Sequence, residues 1–210
     1  MRIATFIDYW NFQLILNQKI GAHTKEGRHR TRVDWRNLGR RLALAARDTV
    51  YADDRAWEFE GCHIYTSFDP ETDDGKKFRK WVTTWLNRQP GNNVEMRERR
   101  PRPAPRCPAC HASVAHCPNS ACGQPMGGMT EKAVDMLLAT DLIRFAVDDF
   151  YDIAVLASLD EDMVPAVRFV QSLGKKVIQS GFPPGGVTLS AECWASFDVM
   201  TIVDEIIETP

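Results

Sequence analysis

No stretch of the 210-residue chain reaches the roughly 20 consecutive apolar residues that a membrane-spanning helix requires. The opening Met1-Arg-Ile-Ala-Thr-Phe-Ile-Asp8 also lacks the long apolar core and cleavage site of a secretory leader, so a cytoplasmic protein is expected. Neither sign of charge prevails: 26 Lys and Arg against 28 Asp and Glu give a formal net charge of −2. That balance does not by itself mark a nucleic-acid binder, but it hides a local asymmetry. Arg28, His29, Arg30 and Arg32 form one basic cluster, and Arg97, Arg99, Arg100, Arg102 and Arg106 form another, whereas acids dominate from Asp135 to Asp162. An acidic centre flanked by basic arms suits a polyanion held by its backbone and cut at a metal; the plainer reading is that the Arg-rich loops are solvated surface. With 44% hydrophobic residues the chain can bury one sizeable core, so one domain over residues 1–210 with a small insertion at 100–128 is expected.

The apolar run over residues 3–7 ends at Asp8 and is followed by a helical pattern over 10–20. Residues 21–32, polar and basic, read as a loop. Asp34 can cap a helix carrying Leu38, Leu42, Ala45 and Ala46. Residues 62–68 alternate like a strand, 76–87 carry the helical stripe Phe78, Trp81, Val82, Trp85 and Leu86, and 94–99 read as a strand with a charged edge. Residues 129–147 read as one long helix capped by Thr130, and 151–159 as a strand buried on both faces. A helix over 163–173, stopped by Gly174, leads into a strand from Lys175, and 196–203 close as a short strand or a helix. The repeated β-α-β order predicts an α/β fold with a parallel sheet and right-handed crossovers.

Carboxylates fall where such a sheet gathers its sites, outside the carboxyl ends of the strands. Asp8 ends the first strand, Asp135 lies near a helix start, and Asp160 and Asp162 follow the buried strand. Converging carboxylates repel one another and need a cation, and hard oxygen ligands select Mg²⁺ or Mn²⁺. The expected chemistry is metal-dependent hydrolysis of phosphodiesters. Each acid also has a plain structural role open to it: Asp8, Asp160 and Asp162 as helix caps, and Asp135 as a first-turn acid favoured by the macrodipole. Lys132, one turn before Asp135, can contact a scissile or flanking phosphate. Asn11 can bond a metal-bound water or a ligand, or simply hold a local turn.

Phe6-Ile-Asp8-Tyr-Trp-Asn11, Lys132-Ala-Val-Asp135-Met-Leu-Leu-Ala-Thr-Asp141, Val155-Leu-Ala-Ser158-Leu-Asp160-Glu-Asp162-Met-Val-Pro165 and Leu173-Gly-Lys-Lys-Val177 together resemble the NYN domain of the PIN-like nuclease superfamily. The matching blocks run from the first strand to about Val177, and the middle third does not match. The resemblance implies a three-layer α/β/α sandwich and an enzyme that usually cuts RNA. It also implies metal-site acids at Asp8, Asp135, Asp160 and Asp162, with Asn11 and Ser158 supporting them. Asp141 matches a family position as well, but six residues after Asp135 it faces another side of the helix and belongs behind the ligands. Leu159 and Met163 depart from the family, which commonly has glycine after the serine and an aromatic after the second aspartate. Leu159 is therefore expected to alter the loop or restrict the cleft. Cores of this kind often pair, so a homodimer is among the expected assemblies.

Cys107-Pro-Ala-Cys110 and Cys117-Pro-Asn-Ser-Ala-Cys122 place four thiols in a Pro-bounded insertion with too few apolar residues for a core of its own. Four thiolates satisfy tetrahedral Zn²⁺, whose binding can fold such a segment; a redox dithiol at the first pair is the weaker alternative. His111 and His116 can substitute for a cysteine ligand, while Cys62 and Cys193 read as ordinary buried thiols.

The leading reading is a metal-dependent ribonuclease, an endoribonuclease by preference, acting on RNA or alternatively DNA. Lys132, Ser158, Arg28, Arg30, Arg32, Arg99, Arg100 and Arg102 would hold substrate. The runner-up is a nucleic-acid-binding or scaffold protein with this fold and little turnover, supported mainly by Leu159. A phosphatase with an aspartyl-phosphate intermediate fits less well, because the second aspartate it needs two residues after Asp8 is absent and Trp10 stands there.

Overall fold

Strand β1 (Arg2–Asp8) is buried from Ile3 onward because both of its faces are covered, which is why its sequence is an apolar run and not an alternating one. Ile3 and Ile7 enter one core with Phe12, Leu38 and Ile64; Ala4 and Phe6 enter a second with Leu138, Leu142 and Leu156. The computed structural model describes residues 1–21, 23–24, 27–28, 31–51, 56–119 and 121–208, with backbone alone at 23–24 and 27–28. After β1 come α1 (Tyr9–Lys19), β2 (His23–Thr24), β3 (Gly27–Arg28), α2 (Leu38–Val50), β4 (Glu58–Phe68), α3 (Asp73–Thr84), β5 (Asn92–Glu98) and β6 (Arg100–Arg102). The second half holds β7 (Gly128–Thr130), α4 (Val134–Val147), β8 (Ile153–Ala157), α5 (Val164–Ser172), β9 (Lys176–Gly181), α6 (Val187–Glu192), β10 (Ala195–Asp198) and α7 (Val203–Ile206).

Six strands pair in parallel in the order β10-β9-β8-β1-β4-β5. Helices α1, α2 and α3 feed the first core, and α4, α5 and α6 feed the second, so the fold is a three-layer α/β/α sandwich. The chain winds outward from β1 to β5, then returns to place β8 on the other side of β1. The carboxyl ends of β1 and β8 therefore flank the point where winding reverses, where a crevice opens in sheets of this kind. Among the described residues no helix is long and apolar enough to cross a membrane.

Several local expectations change. The long helix expected over 129–147 begins only at Val134: Gly128–Thr130 is a strand paired with Arg100–Arg102, and Ala133 turns the chain at a positive φ of 69° before the helix. Thr130 is therefore no cap. Asp34 closes the turn ahead of α2, accepting from Asn37 N and Nδ2, and Asn37 is the residue that precedes the helix. Within the loop expected at 21–32, β2 and β3 form a two-residue ladder. The closing segment is strand and helix in turn, β10 followed by a 3₁₀ turn and α7.

Candidate functional site

Of the caps expected as plain alternatives, those of Asp8 and Asp160 are present, whereas Asp162 lies within the turn that Asp160 caps. Asp8 ends β1 and caps α1, its Oδ1 accepting from Asn11 N at 3.1 Å. Asp160 Oδ1 accepts from Asp162 N at 2.9 Å and so caps the 3₁₀ turn Glu161–Met163. Asp135 lies in the first turn of α4, near enough to Asp8 for its charge to act on it. Each cap uses one carboxylate oxygen and leaves the other available. Asp8 is only 6% exposed, and burial lifts its carboxyl to about 7, with Asp135, Glu131 and Asp160 adding repulsion. Burial also raises Asp135, followed by the charges of Asp160, Glu131 and Asp162. Among the described residues no Lys or Arg forms an ion pair with any of these four aspartates.

Asn11 and Ser158 hold this arrangement. Asn11 Oδ1 accepts from Leu159 N at 3.2 Å, tying the start of α1 to the loop after β8, and Ser158 Oγ accepts from Asp160 N at 3.2 Å. Ser158 is buried, and through this bond it positions Asp160. Glu131, which lies ahead of α4 where no helical spacing singles it out, joins the acids through its charge on Asp8 and Asp135. The Ser67 hydroxyl at the carboxyl end of β4 donates to it, and that hydroxyl also accepts from Arg99 Nε at 3.0 Å. Arg99 lies over the Trp10 ring at 5.3 Å, and the Trp10 indole donates to Ser67 O at 2.7 Å.

Other expected residues stand differently. Lys132 is exposed ahead of α4, so the one-turn helical spacing that would align it with Asp135 does not operate. Asp141 accepts from Tyr65 Oη at 3.0 Å and from Arg144 at 2.9 Å, a tie between helix and sheet. Arg100 and Arg102 are exposed and alternate on β6, which puts them on one face of the ribbon. Arg32 is exposed; Arg30, His29 and the Arg28 side chain lie outside the described residues. Leu159 packs with the first core and over the turn after β9, where a Cβ on Gly185 would meet its Cδ1 at 2.9 Å and one on Gly186 its Cδ2 at 2.8 Å. Two glycines thus make room for the side chain that replaces a glycine.

The insertion between β6 and β7 repeats one hydrogen-bond pattern twice. Cys107 N donates to Ala112 O and Val114 N to Pro105 O; then Cys117 N donates to Gln124 O and Met126 N to Ala115 O. The chain turns at positive φ directly after the second cysteine of each pair, at His111 and Gly123. Backbone amides of Cys110 and Ala109 point at the Cys107 sulfur and lower its pKa. All six cysteines are unbridged. Among the described residues, however, no three or more His, Cys, Asp or Glu side chains are already arranged to hold a metal, at the aspartates or at the thiols. The donor sets fit the ions in chemistry: uncompensated hard oxygens at one place, paired thiol turns at the other.

The sequence matches the NYN domain family over residues 2–198. No curated protein is similar to it. Among solved structures it is similar to a crystal structure of a protein of unknown function from Vibrio parahaemolyticus, with 16% identity, 99% of this chain and 96% of that one covered, and a TM-score of 0.53. At that identity the likeness speaks for the fold alone.

Proposed function

The chain belongs to the NYN domain family, whose members are PIN-like nucleases, and from that premise we propose that it is a divalent-metal-dependent ribonuclease. The observation that carries the reading is the uncompensated acid cluster at the carboxyl ends of β1 and β8, with Asp8 pushed to about 7 by burial and by its acidic neighbours. Asp8, Asp135, Asp160 and Asp162 would hold Mg²⁺ or Mn²⁺, and Glu131 adds negative charge beside them. The bound ion would supply Lewis-acid activation of water and offset charge on the leaving oxygen. Asn11 and Ser158 fix the two loops that present the acids. Lys132, Arg100 and Arg102 are exposed and would hold phosphates.

The insertion at 100–128 would be a separate unit closed by Zn²⁺ on Cys107, Cys110, Cys117 and Cys122. A four-thiolate site has no open position, so that ion would be structural. The reading as a scaffold without turnover rested on Leu159, and that side chain is taken up by Gly185 and Gly186 on the face away from α4. The test is cleavage of labelled single-stranded RNA, structured RNA and DNA in Mg²⁺, Mn²⁺ or chelator. Metal-dependent cutting of RNA is expected; no cutting under any condition, or full activity in Asp8→Asn, would overturn the proposal.

A further inference from the structure

A groove of about 730 Å³ lies on the α1–α3 side of the sheet; none of the clustered acids lines it, and Tyr9, the residue after Asp8, forms part of its wall. Its walls are aromatic: Tyr9, Trp35, Phe78, Trp81 and Trp85. Tyr9 stacks on Trp35 at 4.5 Å and 22°, and Trp81 on Trp85 at 5.6 Å and 21°. Trp85 is 37% exposed, so its ring can be reached from solvent. Thr31 also lines the groove, and its hydroxyl is buried without a hydrogen-bond partner among the described residues. Arg32 and Lys77 bring positive charge to the rim, and Asp74 and Glu208 bring acceptors. Tyr9 and Trp10, directly after Asp8, connect groove and acids; Trp10 packs on Phe78 at 5.2 Å on one side and under Arg99 on the other.

Flat aromatic walls, an orphan hydroxyl, edge acceptors and rim cations together match one ligand chemistry, a planar heterocycle with polar edges joined to a phosphate. An aliphatic peptide would use the walls but leave the polar groups idle. We propose that this groove is a base-binding subsite, which takes one unstacked nucleobase of single-stranded nucleic acid whose backbone continues across the acid cluster. The identity of the polymer rests on the nuclease reading above. A base inside a duplex is already stacked and paired, so the groove gives the protein a preference for single strands.

The test titrates the full-length protein, in chelator so that nothing is cut, with a ten-nucleotide oligo(A) RNA and with a ten-base-pair RNA duplex, following tryptophan fluorescence. Trp85→Ala removes an exposed ring and Trp85→Phe restores a smaller stacking face. Trp194→Ala is the control, since Trp194 precedes β10 at the opposite end of the sheet and is 43% exposed. Oligo(A) is expected to quench the wild type, Trp85→Ala to weaken binding roughly ten-fold, Trp85→Phe to recover most of it, and Trp194→Ala to change nothing. Equal affinity of wild type and Trp85→Ala overturns the proposal, as does Trp85-dependent binding of the duplex at the same strength. Quenching that grows with protein concentration alone, and is lost in Trp85→Ala, assigns the groove to a second copy and also overturns it. Trp85-dependent binding without any cleavage in Mn²⁺ would sink the nuclease reading and leave the subsite standing. Cleavage with an unchanged KM in Trp85→Ala would do the reverse.

Discussion

Asp8 serves both as a helix cap and as a member of an acid cluster, and the two roles have opposite consequences for stability. Its pKa in the folded protein, about 7, lies above the ordinary 3.8, so the folded state holds the proton more tightly than the unfolded chain. Stability without metal therefore falls as pH rises from about 4 to about 7 on account of this group. Asp8→Asn should melt higher than wild type in chelator, by a margin that widens across that range. Buried His63, lowered to about 4, acts in the other direction but is common to both proteins and cancels in the comparison. Added Mn²⁺ should raise the wild-type melting temperature and leave the variant nearly unmoved. Cleavage by Asp8→Asn, Asp135→Asn and Asp160→Asn should each drop roughly a hundred-fold or more. At Leu159, Gly185→Ala should cost about 1–3 kcal/mol in urea unfolding. That cost should shrink in a Leu159→Ala background, because the closer contact is with Leu159 Cδ1 at 2.9 Å, and only the one with Phe182 O at 3.3 Å would remain.

At the scale of elements, the region from β6 to α4 departs most from a simple reading of periodicity. The ladder between Arg100–Arg102 and Gly128–Thr130 closes the insertion at its base, so its ends are held together before any ion binds. Two thiol turns with the same backbone pattern follow within it. Elemental analysis should find close to one zinc per chain. Cys110→Ser should open residues 100–128 to protease while the sheet keeps its cooperative melting, since the ligands are local and the core lies elsewhere. Full protease resistance in a zinc-free preparation would refute this assignment. The same ladder displaces Lys132 from the helix and leaves it exposed beside Glu131.

For the whole molecule, a net charge of −2 is the sum of acidic and basic clusters set apart along the sequence, and each should be felt separately by a polyanion. Neutralising Arg100 and Arg102, or Arg28, Arg30 and Arg32, should weaken RNA binding with little regard to sequence. On a single strand the slope of log affinity against log salt should become shallower by roughly 0.7 for each phosphate that the protein no longer neutralises. Saturating RNA should then restore much of the cleavage rate, because these arms touch neither water nor leaving oxygen. Arg99 should behave otherwise: it is bonded to Ser67, which is bonded to Glu131, so Arg99→Ala should lower the rate even at saturation. An unchanged salt slope would leave the clusters as solvated surface.

The sequence by itself determined the alternation of strand and helix, the buried character of β1 and β8, and the acids at Asp8, Asp135, Asp160 and Asp162, because burial on two faces and capping are local demands written in runs of a few residues. It also carried the paired thiols, whose spacing is short. It could not decide that Asp141 ties a helix to β4, that Glu131 joins the acids, or that Leu159 lies on Gly185 and Gly186. Those facts depend on which strands become neighbours when winding reverses between β5 and β8, and on partners dozens of residues away in the chain. The aromatic groove was likewise hidden: Trp81 and Trp85 read as part of one helical stripe, Tyr9 and Trp35 had no reading of their own, and only the packing of α3 against the start of α1 sets these rings around one space.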